Sequence, residues 1–329
     1  MEQRILGATG LRVSVLGFGC AALGSRTSRR SAMEAVVQAS ELGINFFDTA
    51  PFYGQGESER ILGAAFRRSR DRAVVATKVG LFPSLTLRVA ARLKPVVRSL
   101  LRSLPGSGQK SLQKSVQKFM RSSNKVNFDP RSLTASVEAS LRRLRFDFLD
   151  LLLLHVTPEP NQIEDVIDQL QILKRQGKIR HFGASSHDAD DLKLWLGKSG
   201  SGIGVLQVML NLFELPTMDA CFPAATDAGI AIVAREPFAR GRLLPPRAGG
   251  ANQLGFVGLE FDDRFVSYAA TLRRTVPQIA IQFLVQSAGI SVVLSGMSTV
   301  KHLHENVGAL SLPPLTQHDM STIRSLAAR

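Results

Sequence analysis

The sequence predicts a (β/α)8 TIM barrel, and three observations carry that prediction. Eight short apolar runs alternate with eight amphipathic stretches. The runs are near-continuous in Val, Ile, Leu and Phe, and the 329-residue length suits one barrel carrying an insertion. The strand candidates are residues 15–19, 44–48, 73–78, 148–155, 179–185, 205–209, 230–235 and 291–294. Such unbroken apolar runs suit parallel strands covered on both faces. Helical periodicity follows at 31–42, 58–68, 132–144, 163–176, 188–196, 217–228, 277–286 and 300–310. Ser31 with Glu34 reads as a capping box, Gly43 and Gly177 as helix stops, and Asp188 as the cap of the helix it opens.

Ahead of the first barrel strand, residues 4–6 and 11–13 flank the Ala8-Thr9-Gly10 turn and predict a β-hairpin plugging the amino-terminal floor. With no fixed-period repeat and no linker, residues 1–329 read as a single domain. Two interruptions stand out. Residues 81–127 far exceed an ordinary strand-to-helix connection. There Leu85, Val89, Leu93, Val96, Val97 and Leu100 recur at helical spacing, and Lys110, Lys114, Lys118 and Arg121 give a second helix one basic face. The other interruption, 237–262, is rich in Pro and Gly and reads as a long loop after the seventh strand.

Apolar residues make up 44% of the chain, enough for a large core, yet no uncharged apolar stretch is long enough to span a bilayer. The start MEQRILGATG lacks a basic-then-apolar signal pattern, and Cys20 and Cys221 form no disulfide framework or metal cluster. Both features point to a reducing cytoplasm, with buried packing as the role of the cysteines. The net charge is +14, and between Leu81 and Pro130 ten Lys/Arg stand against Asp129 alone. The basic character therefore belongs largely to the insertion, not to the scaffold. It reads either as a solvated face over an apolar seam or as a lid meeting an anionic substrate, an acidic membrane surface or an acidic partner. Nucleic-acid binding is not expected, because the segment has almost no aromatics to stack on bases.

Barrels place active sites at the carboxyl ends of their strands. Asp48 ends the second run, Tyr53 follows on its loop, Lys78 ends the third and His155 the fourth. A lysine and an aspartate at the ends of apolar strands are costly unless paired with each other. Pairing them holds an ammonium near the phenol, and a neighbouring cation is expected to bring the phenol's pKa down toward working pH. Tyr53 is then expected to give a proton to a carbonyl oxygen that His155 orients while hydride reaches the carbon. A lone histidine at a strand end is usually a satisfied structural group. Four compatible groups on three successive strands are much harder to dismiss.

The segment GINFFDTAPFYGQGESERILGAAF, residues 43–66, resembles the aldo-keto reductase family signature, and LRRLRFDFLDLLLLHVTP and GKIRHFGASSH are similar to family segments as well. The resemblance runs nearly end to end, broken by the basic insertion. It implies Asp48, Tyr53, Lys78 and His155 as catalytic residues, with NAD(P)H-dependent reduction of an aldehyde or ketone to an alcohol and no metal. It implies NADP as cofactor, with NAD possible. Ser185, Ser186 and Gln207 would hold the nicotinamide carboxamide, Ser186 standing where an Asn is common, and Arg235 would replace the Tyr that stacks on the ring in many members. Glu236, Pro237, Phe238, Ala239, Arg240 and Gly241 match the loop around the pyrophosphate. Gly296, Met297, Ser298, His302, Glu305 and Asn306 match the adenosine end. GFGCAALG, residues 17–24, lacks the third glycine of a dinucleotide fingerprint and reads as a barrel strand and its loop. Leu23, Phe52, Phe82 and Phe213 are expected at the mouth, with Trp195 on an outer helix. A nucleotide-sensing regulatory subunit of the same fold is the alternative to an enzyme.

Overall fold

Eight parallel strands close into a barrel in the computed structural model, which describes residues 1–25, 27–83, 124–186, 188–244, 262–297 and 299–328. A hairpin comes first, β1 (Gln3–Ile5) pairing antiparallel with β2 (Arg12–Ser14). The barrel begins with β3 (Leu16–Gly19), β4 (Phe46–Asp48) and β5 (Val74–Val79). A two-stranded antiparallel ladder, β6 (Leu81–Pro83) with β7 (Asn124–Val126), forms the base of the insertion. The barrel resumes with β8 (Leu149–Leu154), β9 (Ile179–Ser186), β10 (Ile203–Met209), β11 (Ala231–Arg235) and β12 (Ile290–Gly296), which pairs back onto β3. All eight predicted barrel strands are present. The hairpin sits at the floor, where the Ala8 N–H donates to the Gly229 carbonyl and the Arg4 guanidinium to the Ile290 carbonyl.

Strand residues alternate between two cores. Leu6, Val13, Phe46, Ala76, Leu151, Leu153, Val205, Val233 and Val292 fill the lumen. Phe47, Val75, Leu152, Leu154, Leu206, Val208, Ile232 and Val293 face the helices. This two-residue period also decides which strand-end residues enter the site. Continuing the lumen phase by two residues from Phe46, Ala76, Leu153, Val205 and Val233 gives Asp48, Lys78, His155, Gln207 and Arg235. The register then sets neighbours: Gln207 lies beside Ser185 and Met209 beside Arg235.

All eight predicted helices form, at Arg29–Glu41, Glu57–Ala65, Pro130–Leu144, Ile163–Arg175, Ala189–Leu196, Leu215–Asp227, Val276–Gln286 and Val300–Ala309. The first differs at its start. Ser28, not Ser31, is the cap, its hydroxyl accepting from the Ser31 N–H at 3.1 Å. Ser28 has the extended backbone a cap needs, whereas Ser31 is already helical. Gly43 and Gly177 do end their helices with positive φ, and Asp188 caps its helix through the N–H groups of Asp190 and Asp191. Two further helices, Val266–Thr271 and Gln317–Ala327, lie outside the expected eight. The second opens on a Thr316–Asp319 capping box.

The helices expected in the insertion fall on residues 84–123, outside the described residues, as do 245–261 of the loop after β11. No helix among the described residues is long and apolar enough to cross a membrane. Cys20 and Cys221 are both buried, and Trp195 is buried on its outer helix with its indole N–H toward Thr157.

Candidate active site

The lysine and the aspartate meet at the rim. Lys78 Nζ lies 2.6 Å from each oxygen of Asp48 and donates to the Thr49 carbonyl at 3.1 Å. Both charged side chains are almost fully buried. Gln207 Nε2 donates to Asp48 Oδ1 at 2.8 Å, so the carboxylate is held from across the lumen as well. Burial works against the charge on Lys78, but Asp48, helped by Tyr53, outweighs it, so its pKa stands above the ordinary lysine value. The ammonium is therefore a fixed charge at neutral pH.

Tyr53 leaves β4 through a short turn in which Gly54, Gln55 and Gly56 all have positive φ. A side chain at Gly54 would meet the Leu23 carbonyl at 2.8 Å, so both the close approach and the left-handed backbone call for glycine. The turn brings Tyr53 OH to 3.4 Å from Lys78 Nζ. His155 stands edge-on to the phenol, with ring centroids 6.2 Å apart at 87°. The expected downward pull on the phenol is corrected by the fold. Burial pushes the Tyr53 pKa above its ordinary value, and the opposing effect of Lys78 does not cancel it, partly because Asp48 acts the other way. Tyr53 thus keeps its proton well past neutral pH.

The remaining strand ends carry a different chemistry. Ser185 and Gln207 are buried side by side, the serine hydroxyl donating to Gln207 Oε1 at 3.4 Å. Ser186 is turned elsewhere, its hydroxyl donating to the Asp188 carbonyl at 2.8 Å. The Arg235 guanidinium donates to the Ser186 carbonyl and pairs with Glu236 at 2.5 Å, and Arg240 holds the second Glu236 oxygen at 2.7 Å. Around Pro237 and Phe238 the backbone turns through positive φ at Glu236, Ala239, Arg240 and Gly241. Farther along, Met297 is buried beyond Gly296, Asn306 donates to Ser295 Oγ at 2.8 Å, His302 lies in the first turn of the last barrel helix, and Glu305 sits exposed near Lys301. Ser298 lies outside the described residues.

At the mouth, Phe52 and Phe82 are partly exposed, and Phe213 lies under the Arg242 guanidinium at 4.0 Å. Leu23, expected there too, is instead fully buried in the core facing the helices. Sequence reasoning missed Thr49, whose carbonyl accepts from Lys78 and whose hydroxyl bonds Ser58 at 2.8 Å. A backbone acceptor leaves no compositional signal. It also missed Glu59, fully buried, accepting from Thr77 at 2.8 Å and paired with Arg143 at 2.5 Å.

The barrel's strand ends thus gather a buried ammonium–carboxylate pair, a phenol and an imidazole. The aldo/keto reductase family profile matches residues 15–328, and the chain belongs to that family. It is an oxidoreductase, of the class that exchanges hydride between a nicotinamide dinucleotide and a carbonyl group. Among curated relatives, it is 30% identical to D-threo-aldose 1-dehydrogenase from a Pseudomonas species over 93% of this chain and 92% of that one. It is 26% identical to the NADH-specific methylglyoxal reductase of Escherichia coli, over 99% and 98% of the two chains. Among solved structures, the aldo-keto reductase AKR11C1 from Bacillus halodurans in its holo form superposes with a TM-score of 0.76 at 27% identity, covering 99% of this chain and 96% of that one.

Proposed function

We propose that the protein reduces a small aldehyde or ketone to an alcohol, with Tyr53 as the proton donor. The observation that carries this reading is the position of the Lys78 ammonium, pinned between both Asp48 oxygens and 3.4 Å from the Tyr53 hydroxyl. The donor set fits a nicotinamide dinucleotide. Neutral hydroxyl and amide groups of Ser185 and Gln207 stand next to the tetrad, as a carboxamide requires. Arg235 stands beside them, where its planar guanidinium can stack on the nicotinamide ring, and the Arg240 guanidinium follows on the next turn, as phosphates require. When bound, the nicotinamide supplies hydride to the carbonyl carbon.

The chain's own residues handle the proton. Tyr53, kept protonated by desolvation, donates O–H to the carbonyl oxygen. Lys78 stabilises the phenolate left behind, and Asp48 with Gln207 keeps the ammonium from drifting. His155 orients the oxygen from the edge of the phenol ring. Glu236 to Gly241, with Met297, His302, Glu305 and Asn306, would hold the rest of the dinucleotide. NADP is the preferred form, with NAD as the second choice. The name of the E. coli relative, an NADH-specific reductase, gives NAD its support.

Titration of the protein with NADPH and NADH, followed by turnover on a panel of aldehydes and ketones, tests the proposal. Tyr53→Phe is expected to abolish reduction and leave dinucleotide affinity within about twofold, since it removes one hydroxyl in contact with the reacting oxygen. Persistent reduction in that variant removes Tyr53 as the acid. Tight dinucleotide binding without turnover in the wild type would favour the regulatory-subunit alternative.

A further inference from the structure

On the outer wall, behind the turn that carries Tyr53, helices Glu57–Ala65 and Pro130–Leu144 frame a groove of about 580 Å³ whose charge is almost wholly cationic. Five guanidinium groups line it: Arg29, Arg60, Arg142, Arg143 and Arg145. Two carboxylates accompany them, and both are engaged. Glu57 is held by Arg29 at 2.8 Å and faces Arg60 at 3.7 Å. Glu59 is buried beneath Arg143 at 2.5 Å. Arg142 and Arg145 are exposed, and no hydrogen bond or ion pair to either guanidinium is formed by the described residues. The acid one turn before Arg142, Glu138, is taken by Lys178 at 2.7 Å. Among the described residues at the groove, five guanidinium groups therefore stand against two carboxylates, with Glu138 shared between Lys178 and Arg142 at its edge.

We propose that this groove is a binding site for a small polyphosphate anion. Planar guanidinium forks match phosphate oxygens two at a time, and their mutual repulsion is relieved by an anion placed between them. The volume falls in the range of small-molecule sites. Among the described residues no aromatic ring lines the groove, so they offer nothing for a nucleobase to stack on, and the phosphates are what it reads. An extended nucleic acid would need a continuous basic track, whereas these arginines close around one spot. The proposal is independent of the reductase reading, because no residue of the groove belongs to the tetrad or to the rim beyond it.

The probe is inorganic tripolyphosphate, titrated by calorimetry into the intact protein saturated with NADPH, so that the dinucleotide's own phosphate contacts are already occupied. Saturable binding is expected, weakening as salt is raised. Arg142→Gln/Arg145→Gln should lower the affinity roughly tenfold or more, the loss of at least one charge-assisted hydrogen bond, and leave carbonyl reduction unchanged. Ala64→Glu, which keeps every arginine and adds a carboxylate at the groove, should have the same effect. Absence of saturable binding in the millimolar range overturns the proposal, as does wild-type affinity in both variants. Binding of acidic vesicles or duplex DNA through Arg142 and Arg145, with none of tripolyphosphate, overturns it too.

Discussion

Two ion pairs, one wholly buried and one with a buried carboxylate under a partly exposed arginine, lie almost back to back across strand β5. Lys78 points into the lumen and meets Asp48; its neighbour Thr77 points to the helix layer and bonds Glu59, which Arg143 covers. The strand's two-residue period sends consecutive side chains to opposite faces, so one strand end serves both a site and a scaffold. The lumen pair stands at the open rim beside a phenol and an imidazole, where a reacting oxygen can reach it. In the outer pair, Glu59 is fully buried between helices Glu57–Ala65 and Pro130–Leu144, and Arg143 covers it from the groove on the outer wall. Similar electrostatics, placed one residue apart, thus acquire different work.

The largest separation should come from turnover. Lys78→Met is expected to lower carbonyl reduction by on the order of 100-fold or more, because the phenolate formed on proton donation loses its counter-charge. Steady-state NADPH oxidation measures it, and turnover near the wild-type level would deny the lumen pair its chemical role. Next, Glu59→Gln should cost about 3 kcal/mol of folding stability by stranding Arg143 and weakening the Thr77 bond, read by urea unfolding. In the folded enzyme the pH profile of reduction should stay as in the wild type; a shifted profile would mean that the outer pair also tunes the site. Gly63→Ala tests how closely the two helices meet. A Cβ there would lie 2.0 Å from the Leu144 carbonyl, so a loss of about 1–3 kcal/mol is expected from forced separation of the helices.

With Tyr53 as the proposed proton donor, the pH dependence follows from its pKa. Its pKa is raised, so the proton needed for reduction stays bound through neutral and mildly alkaline pH and is lost only above the ordinary tyrosine range. With a substrate that does not titrate, the reduction rate should be level through neutrality and fall only at strongly alkaline pH. A fall between pH 7 and about 9 would show that desolvation does not dominate. The smallest effect concerns Cys20. Burial, aided by Asp48, pushes its thiol up, so alkylating reagents should leave the native enzyme unlabelled at that position and its activity intact. Mass spectrometry of the labelled protein checks this.

Much of this architecture was legible beforehand because it depends on short-range periodicity. Unbroken apolar runs such as LDLLLL marked strands covered on both faces, and Asp48, Lys78 and His155 announced themselves as charged or polar groups ending such runs. The cap of the first helix was misplaced by three residues because two serines, Ser28 and Ser31, offered the same chemistry and the backbone chose between them. Leu23 was misjudged because facing the mouth and facing the helices differ by the path of one loop, which composition does not record.

The sequence by itself determined the barrel, its eight strands and the charged or polar residues that end them, since alternation and apolar patterning act over a few residues. The tertiary structure decided the direction of the Tyr53 pKa, the paired fate of Glu59 and the convergence of Arg29 and Arg60 with Arg142 and Arg145. Desolvation and charge–charge interaction depend on everything within several ångströms, and those neighbours come from segments as far apart as residues 29 and 145.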